Sequence, residues 1–164
     1  MEDHELLERQ RAYFATGATR SVPGRIRALL ALRDAIRAQT PQLEAAMEAD
    51  LGKPAAETYM TEIGLVLTEI RDQLRHVRRW SRTRRVPTPL MHFPAKSYIA
   101  PEPYGVVLIL APWNYPIQLC LAPLAGAIAA GNCAVVKPSA YAPHTSRAIR
   151  AVIEQALPQE HAAV

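Results

Sequence analysis

Several features that would assign this chain to a special class of protein are scarce or missing from its 164 residues. Only two cysteines occur, Cys120 and Cys133; both lie in apolar segments, which favours buried free thiols in a reducing compartment over a disulfide framework. No uninterrupted run of about 18 apolar residues is present, and the N-terminus is acidic, so we expect neither a transmembrane segment nor a secretory signal. The sequence therefore predicts a cytoplasmic protein.

Histidines are few and scattered, without metal-ligand or acid-base spacing, so we expect no metal site. We expect each of them at the surface: His4, His76, His92, His144 and His161. What the chain does have is 49% hydrophobic and 21% charged residues, which is typical of a globular protein with one substantial core.

The net charge of +4 arises largely in one short stretch. Its basic residues are Arg75, Arg78, Arg79, Arg82, Arg84 and Arg85. Because this stretch has no nucleic-acid recognition motif and Trp80 is its one aromatic residue, a solvated face or subunit contact is favoured. A phosphate or nucleic-acid contact is the alternative, and we predict no nucleic-acid partner.

Apolar residues at three- and four-residue spacing predict helices over the first half of the chain. We expect one helix from Glu2 to about Phe14, a second beginning near Pro23, a third ending at Gly52, and a long fourth helix over 57–80. The fourth has the most regular apolar stripe, formed by Ile63, Val66, Leu67, Ile70, Leu74 and Val77. Residues 1–85 are therefore predicted to form a helical region.

Prolines mark the next segment, 86–104, as an extended crossover between layers. Five of the 14 prolines lie here: Pro87, Pro89, Pro94, Pro101 and Pro103. They flank Lys96–Ala100 without interrupting it, so this piece is predicted to be a short edge strand and is a candidate for oligomerisation.

From Gly105 onward the pattern becomes that of an α/β unit. Val106–Leu110 and Cys133–Val136 are short aliphatic runs typical of buried parallel strands, and they alternate with helices predicted over 117–130 and 143–157. The last residues, 162–164, would begin a third strand. We predict that 105–164 is the first half of a Rossmann-like domain, which makes the fold α/β with an incomplete parallel sheet.

Two loops follow the predicted strands, at Pro112–Tyr115 and Lys137–Ser139. Ligands of open parallel sheets bind outside the carboxyl ends of the strands, so both loops are expected to face one crevice. Taken alone, Asn114 is either a brace for the turn before Pro116 or a ligand contact. Lys137 is either a solvated lysine or a cofactor contact.

Three segments carry a family resemblance: Glu102–Pro116, Gly126–Asn132 and Val135–Ser139. In order and spacing they resemble the first half of the cofactor domain of aldehyde dehydrogenases. Upstream, Arg9–Phe14 and Ala49–Lys53 resemble the class 3 branch, which includes fatty-aldehyde enzymes. The resemblance covers nearly the whole chain and identifies it as an N-terminal fragment of such an enzyme.

The resemblance implies a role for each matching residue. Asn114 matches the asparagine whose amide donates to the oxyanion of the thiohemiacetal. Lys137 matches the lysine that reaches the adenosine ribose of NAD or NADP, and Ser139 belongs to the same motif. The backbone wall beside the cofactor is matched by Leu110, Ala111, Pro112 and Trp113. One position departs: Ala140 stands where the family often has a glutamate that binds the ribose hydroxyls, so NADP becomes as plausible as NAD.

The family's nucleophilic cysteine, its glutamate base and its Gly-Ser-Thr loop are all expected downstream of residue 164. Neither Cys120 nor Cys133 has the cationic or helix-start setting that activates a thiol. We therefore expect NAD(P)-dependent aldehyde oxidation from the parent enzyme and none from this chain alone. The alternatives are a non-catalytic interaction subunit, half of a split dehydrogenase, or an acyl-CoA or acyl-phosphate reductase of the same fold. Beyond the aldehyde substrate, the partner is a second copy or a complementary subunit.

Overall fold

The computed structural model describes residues 2–164, which begin with a helical region. Its α-helices are α1 (Glu2–Ala15), α2 (Val22–Ala38), α3 (Thr40–Leu51), α4 (Ala55–Thr58) and α5 (Gly64–Trp80), with a π-helical turn at Tyr59–Ile63. The helix ends follow local chemistry. Ser21 accepts a hydrogen bond from the Gly24 amide at 3.1 Å and caps α2, and Gly52 ends α3 at a φ of 63°.

The second half of the chain contains the strands. It comprises β1 (Arg84–Val86), a 3₁₀ turn (Leu90–His92), β2 (Ser97–Ile99), β3 (Val106–Leu110), α6 (Pro116–Ala130), β4 (Cys133–Lys137), α7 (Pro143–Ala156) and β5 (Ala162–Ala163). β3, β4 and β5 form a parallel sheet in that order, and β1 pairs antiparallel with β2. The predicted α/β class, with the first strands of a Rossmann-like sheet, is confirmed.

The prediction of one long regular helix over 57–80 is wrong for the first turns. The helix begins at Ala55 and widens into the π-helical turn before α5. Gly64 ends that turn, and a Cβ atom there would lie 2.9 Å from the Tyr59 carbonyl oxygen, closer than a side chain tolerates. The wider turn is thus possible because residue 64 is glycine.

Two further details differ from the sequence prediction. The sequence does not predict β1, because Arg84-Arg85-Val86 shows no apolar alternation. This strand forms through backbone pairing with β2. It also crosses the predicted boundary between residues 85 and 86. The second sheet strand also extends one residue further, so that Lys137 is the last residue of β4 and not part of the loop.

The core lies where helices α2, α5 and α7 pack around α6. α6 continues through Pro123 and is apolar on nearly every face, as expected for a helix buried on several sides. Fully buried side chains from four helices meet here: Leu29, Leu32, Ile36, Ile70, Leu121, Leu124, Ile128 and Ile149. Within residues 2–164 no helix is long and apolar enough to cross a membrane.

Candidate functional site

The carboxyl ends of β3 and β4 lie side by side. Leu110 is in register with Lys137, and the Ala111 amide donates a 3.1 Å hydrogen bond to the Lys137 carbonyl. The loop after each strand therefore leaves the same edge of the sheet. This arrangement brings the two loops predicted to carry the site together, and the crossover rule for parallel sheets explains why.

The loop after β3 is exposed and carries most of the predicted site residues. Asn114 is exposed, and its side chain makes no hydrogen bond within residues 2–164. Tyr115 is the residue before α6, and its own side chain makes no capping hydrogen bond to the helix. Of the predicted wall, Leu110, Pro112 and Trp113 are exposed and Ala111 is half-buried. The loop thus offers an unengaged amide beside an apolar surface.

The loop after β4 combines an exposed cation with a tightly held turn. Lys137 is exposed, whereas Ser139 is half-buried. The Ser139 hydroxyl accepts a hydrogen bond from the Tyr141 amide at 3.2 Å, and the Ser139 carbonyl accepts one from the Ser146 hydroxyl at 2.9 Å. Ala140, between Ser139 and Tyr141, is also exposed. A ligand bound at this loop would therefore meet the positive charge of Lys137 and no carboxylate at position 140.

Sequence reasoning missed an ion pair that contacts the first of these loops. The side chain of Glu62, in the π-helical turn, is fully buried, and its Oε1 lies 2.8 Å from Lys53 Nζ. Its Oε2 accepts hydrogen bonds from the amides of Ile117 at 2.8 Å and Gln118 at 3.3 Å. A signal for Glu62 did exist, because it precedes Val66 and Ile70 of the apolar stripe by four and eight positions.

A carboxylate also accepts hydrogen bonds from the first amides of α7. Asp50 accepts hydrogen bonds from the amides of His144 at 3.2 Å and Thr145 at 2.7 Å, and from the Thr145 hydroxyl at 2.8 Å. Partial burial alone would raise the pKa of Asp50, but these hydrogen bonds together lower it. The amides that often bind phosphate at such helix starts are therefore engaged by protein carboxylates in both α6 and α7.

Comparison with known proteins identifies the group to which this arrangement belongs. The sequence model described as "Aldehyde dehydrogenase family" matches residues 4–164. The chain belongs to the aldehyde dehydrogenase family. It is 45% identical over 145 residues to a 4,4'-diaponeurosporen-aldehyde dehydrogenase of Staphylococcus aureus, covering 88% of this chain and 32% of that protein. It is 39% identical over 160 residues to the mouse aldehyde dehydrogenase family 3 member B3, covering 98% of this chain and 33% of that protein.

Solved structures agree with this assignment. A substrate-bound Staphylococcus aureus AldH superposes with a TM-score of 0.95 at 41% identity, over 98% of this chain and 35% of that chain. An NADP complex of glyceraldehyde-3-phosphate dehydrogenase GapN from Methanocaldococcus jannaschii gives 0.84 at 23% identity, over 99% and 35% of the two chains, which shows the fold alone. The resemblance to the class 3 aldehyde dehydrogenases is confirmed, and the chain spans about a third of the length of these relatives.

The two cysteines of this aldehyde dehydrogenase chain are unsuited to nucleophilic attack. Cys120 is buried in α6; burial, and secondarily the charge of Glu62, raise the pKa of its thiol to about 12. Burial raises the pKa of the Cys133 thiol to about 11. Both are protonated at neutral pH, as the sequence setting predicted.

One histidine does not lie where it was expected. His161 is buried, at 8% exposure, and its ring lies 6.0 Å from that of Tyr13, so its predicted surface position is wrong. Its backbone carbonyl accepts a 2.9 Å hydrogen bond from the Ala134 amide of β4, which places the ring beside Tyr13 of α1. Burial lowers the pKa of His161, and a hydrogen bond with the Asn132 backbone opposes this effect. Among residues 2–164 no cluster of histidine, cysteine or acidic side chains has the arrangement of a metal site.

Proposed function

We propose that this chain supplies the oxyanion donor and part of the cofactor crevice of an NAD(P)-dependent enzyme that oxidises an aldehyde to a carboxylic acid. The observation that carries the proposal is the state of Asn114, which is exposed, unengaged and next to the edge where Lys137 ends β4. An asparagine that served only to brace the turn would donate to or accept from the neighbouring backbone. Asn114 instead keeps its amide available.

In the proposed reaction Asn114 acts on the aldehyde oxygen. That oxygen becomes negatively charged when a thiolate from outside these residues attacks the carbonyl carbon. The Nδ2 group of Asn114 would donate a hydrogen bond to it, and a fixed donor of this kind contributes on the order of 10²–10³ in rate. Because the amide is part of a loop held at both ends, little reorganisation is needed at the moment of attack.

The loop residues fit the nucleoside portions of NAD or NADP, which when bound would supply the hydride acceptor. The exposed Lys137 offers a donor to ribose hydroxyls, and Ser139 lies in the loop that follows it. Beside this loop lies an apolar surface formed by Leu110, Ala111, Pro112 and Trp113. The starts of α6 and α7 do not fit the pyrophosphate, because carboxylates already accept from their amides. With Ala140 in place of a carboxylate, either NAD or NADP fits this position, and the cofactor we propose is NAD or NADP.

We also propose that the substrate is an apolar aldehyde. The names of two relatives state their substrates as 4,4'-diaponeurosporen-aldehyde and 4,4'-diapolycopene-4,4'-dial. In this chain the aromatic rings of Trp113 and Tyr115 flank Asn114 and are both exposed. Such rings would contact an aldehyde's hydrocarbon chain while the carbonyl oxygen meets the amide.

A second function, as an interaction subunit, is favoured by apolar surface outside the loop after β3. Leu90, Met91 and Phe93 are more than four-fifths exposed, and an apolar cleft of about 880 Å³ lies along β3 and β4, edged by Arg147 and Arg150. Surface of this kind is typical of protein contacts. The chain would then pack against a second copy or against a polypeptide that carries a nucleophilic cysteine, and such a complementary polypeptide would co-purify with it.

The test of the proposed function is a chimera. This chain replaces the matching third of the Staphylococcus aureus relative, and aldehyde-dependent formation of reduced nicotinamide is measured with NAD and with NADP. The unmodified relative is the positive control, and circular dichroism reports the folding of the chimera. We expect turnover by the chimera and none by the 164-residue chain alone. A folded chimera without turnover, or turnover by the isolated chain, would contradict the proposal.

A further inference from the structure

Glu62 is a buried acid that pairs with Lys53 and accepts hydrogen bonds from the first turn of α6. Its side chain has no exposed surface. The Lys53 side chain, whose Nζ lies 2.8 Å from Glu62 Oε1, is 11% exposed. Burying a carboxylate costs several kcal/mol unless it is paired and hydrogen-bonded, and an apolar side chain of similar size is often at least as stabilising. A buried pair of this kind is therefore poorly explained by stability alone.

The carboxylate holds the first turn of α6. Pro116 has no amide hydrogen, so Ile117 and Gln118 provide the first free donors of that helix, and both donate to Glu62 Oε2. A negative charge here also complements the helix dipole. Glu62 thus fixes the first turn of the helix that begins two residues beyond Asn114.

Lys53 contacts the same loop through the ring of Tyr115. Its Nζ lies 4.4 Å from the centre of the Tyr115 ring, and Tyr115 directly follows Asn114. A cation over an aromatic face is attracted to it, most strongly where water is excluded. The Glu62–Lys53 pair therefore contacts both Tyr115 and the backbone of the first turn of α6.

We propose that Glu62 and Lys53 are positioning residues for Asn114, acting through the start of α6 and the Tyr115 ring. This inference rests on the proposed role of Asn114 as oxyanion donor. At its other end the loop is fixed by the hydrogen bond from Ala111 to Lys137. An oxyanion donor must be placed to within about 0.5 Å, and contacts that fix both ends of an exposed loop favour such placement.

A matched control exists within the chain. Asp50 likewise accepts from two amides at the start of its helix, those of His144 and Thr145, and none of its hydrogen bonds reaches the loop after β3. If capping serves only stability, Glu62→Gln and Asp50→Asn will both lower stability, and neither will displace the Asn114 side chain. If Glu62 positions Asn114, only Glu62→Gln will displace that side chain.

The closing experiment follows the Asn114 side-chain amide and the backbone amides by NMR in the 164-residue chain, so it requires no turnover. For Glu62→Gln we expect faster hydrogen exchange at Ile117 and Gln118, together with a shifted or exchange-broadened Asn114 signal. For Asp50→Asn we expect changes at Thr145 and none at Asn114. An unchanged Asn114 signal in folded Glu62→Gln would overturn the proposal.

Lys53 provides a second pair of variants, in case Glu62→Gln does not fold. Arginine keeps the charge and stacks on aromatic rings, so Lys53→Arg is expected to preserve the Asn114 signal and Lys53→Met to perturb it. Identical spectra for the two variants would overturn the role of Lys53.

Kinetics in the chimera supply the readout that a structural role would not move. Glu62→Gln should lower kcat by about tenfold or more while leaving the KM for the nucleotide unchanged, because a displaced catalytic group loses rate and not cofactor affinity. A change in nucleotide KM alone would contradict the positioning role. Failure of Asn114 itself as a catalytic residue would appear separately, as full activity in Asn114→Ala.

Discussion

The Glu62 carboxylate accepts a 2.8 Å hydrogen bond from the amide of Ile117, although 55 positions separate the two residues in the chain. This contact joins the π-helical turn to the first helix of the parallel sheet. Asp50 and Thr145 make the corresponding contact at the start of α7. The N-terminal helices therefore determine where both site loops end, in addition to covering one side of the core.

The first prediction concerns Asp50 and pH. Asp50→Ala should lower the free energy of unfolding near pH 7 by about 1 kcal/mol, because α7 loses its N-terminal acceptor. Hydrogen bonds hold the folded-state pKa of Asp50 below its ordinary value, so its contribution is present at neutral pH and is lost as pH falls through that folded pKa. Urea unfolding of both proteins at neutral and acidic pH checks this. A difference that stayed constant down to about pH 2 would contradict it.

A second prediction compares two glycines that end helices in the left-handed conformation. A Cβ at Gly52 meets nothing within 4 Å, whereas one at Gly131 would lie 2.6 Å from the Arg25 guanidinium. Gly52→Ala should lower the free energy of unfolding by about 1 kcal/mol through backbone strain. Gly131→Ala should cost about 1–3 kcal/mol more, since Arg25 would lose its hydrogen bonds to the carbonyls of Thr19 and Ala129. Equal losses in urea unfolding would refute the Arg25 contact.

The third prediction is that the thiols are inert in the folded chain. With pKa values raised by burial to about 12 for Cys120 and about 11 for Cys133, almost no thiolate is present at neutral pH. A chromogenic disulfide reagent should therefore label neither residue in the native protein and both after unfolding. Rapid native labelling of either thiol would show that it is accessible and reactive.

Nucleotide preference gives a fourth prediction. In the chimera, Ala140→Glu should raise kcat/KM for NAD relative to NADP by about tenfold or more, because a carboxylate accepts from ribose hydroxyls and repels a 2′-phosphate. Ala140→Gln, similar in size but uncharged, serves as the control and should shift the ratio much less. If glutamate and glutamine shifted it equally, the charge at this position would not set the preference.

Local patterns sufficed to predict the strands of the parallel sheet and the edge at which their loops meet. β3 and β4 are uninterrupted aliphatic runs, and the order of strands and helices brings Asn114 and Lys137 to one edge because parallel strands end together. Helix ends at Gly52 and Gly131 were likewise predictable, since each depends on a single residue type.

Features that depend on distant contacts were not predictable in this way. The π-helical turn requires Gly64 against the Tyr59 carbonyl, and β1 forms only because β2 lies beside it. His161 is buried beside Tyr13, which lies 148 positions earlier in the chain. The roles of the site residues, the bounds 1–85, 86–104 and 105–164, and the cytoplasmic location stay predictions.

The most direct test of the account is the kinetics of two substitutions at Asn114 in the chimera. Asn114→Ala removes the donor; Asn114→Asp keeps the shape and the acceptor oxygen that a turn would need, but replaces the donor with a negative charge. If Asn114 stabilises the oxyanion, both variants should lose about 10²–10³ in kcat, with Asn114→Asp at least as impaired, and the nucleotide KM should not change. Retention of activity by folded Asn114→Asp would mean that Asn114 only braces the turn, and would contradict the proposed function of this chain.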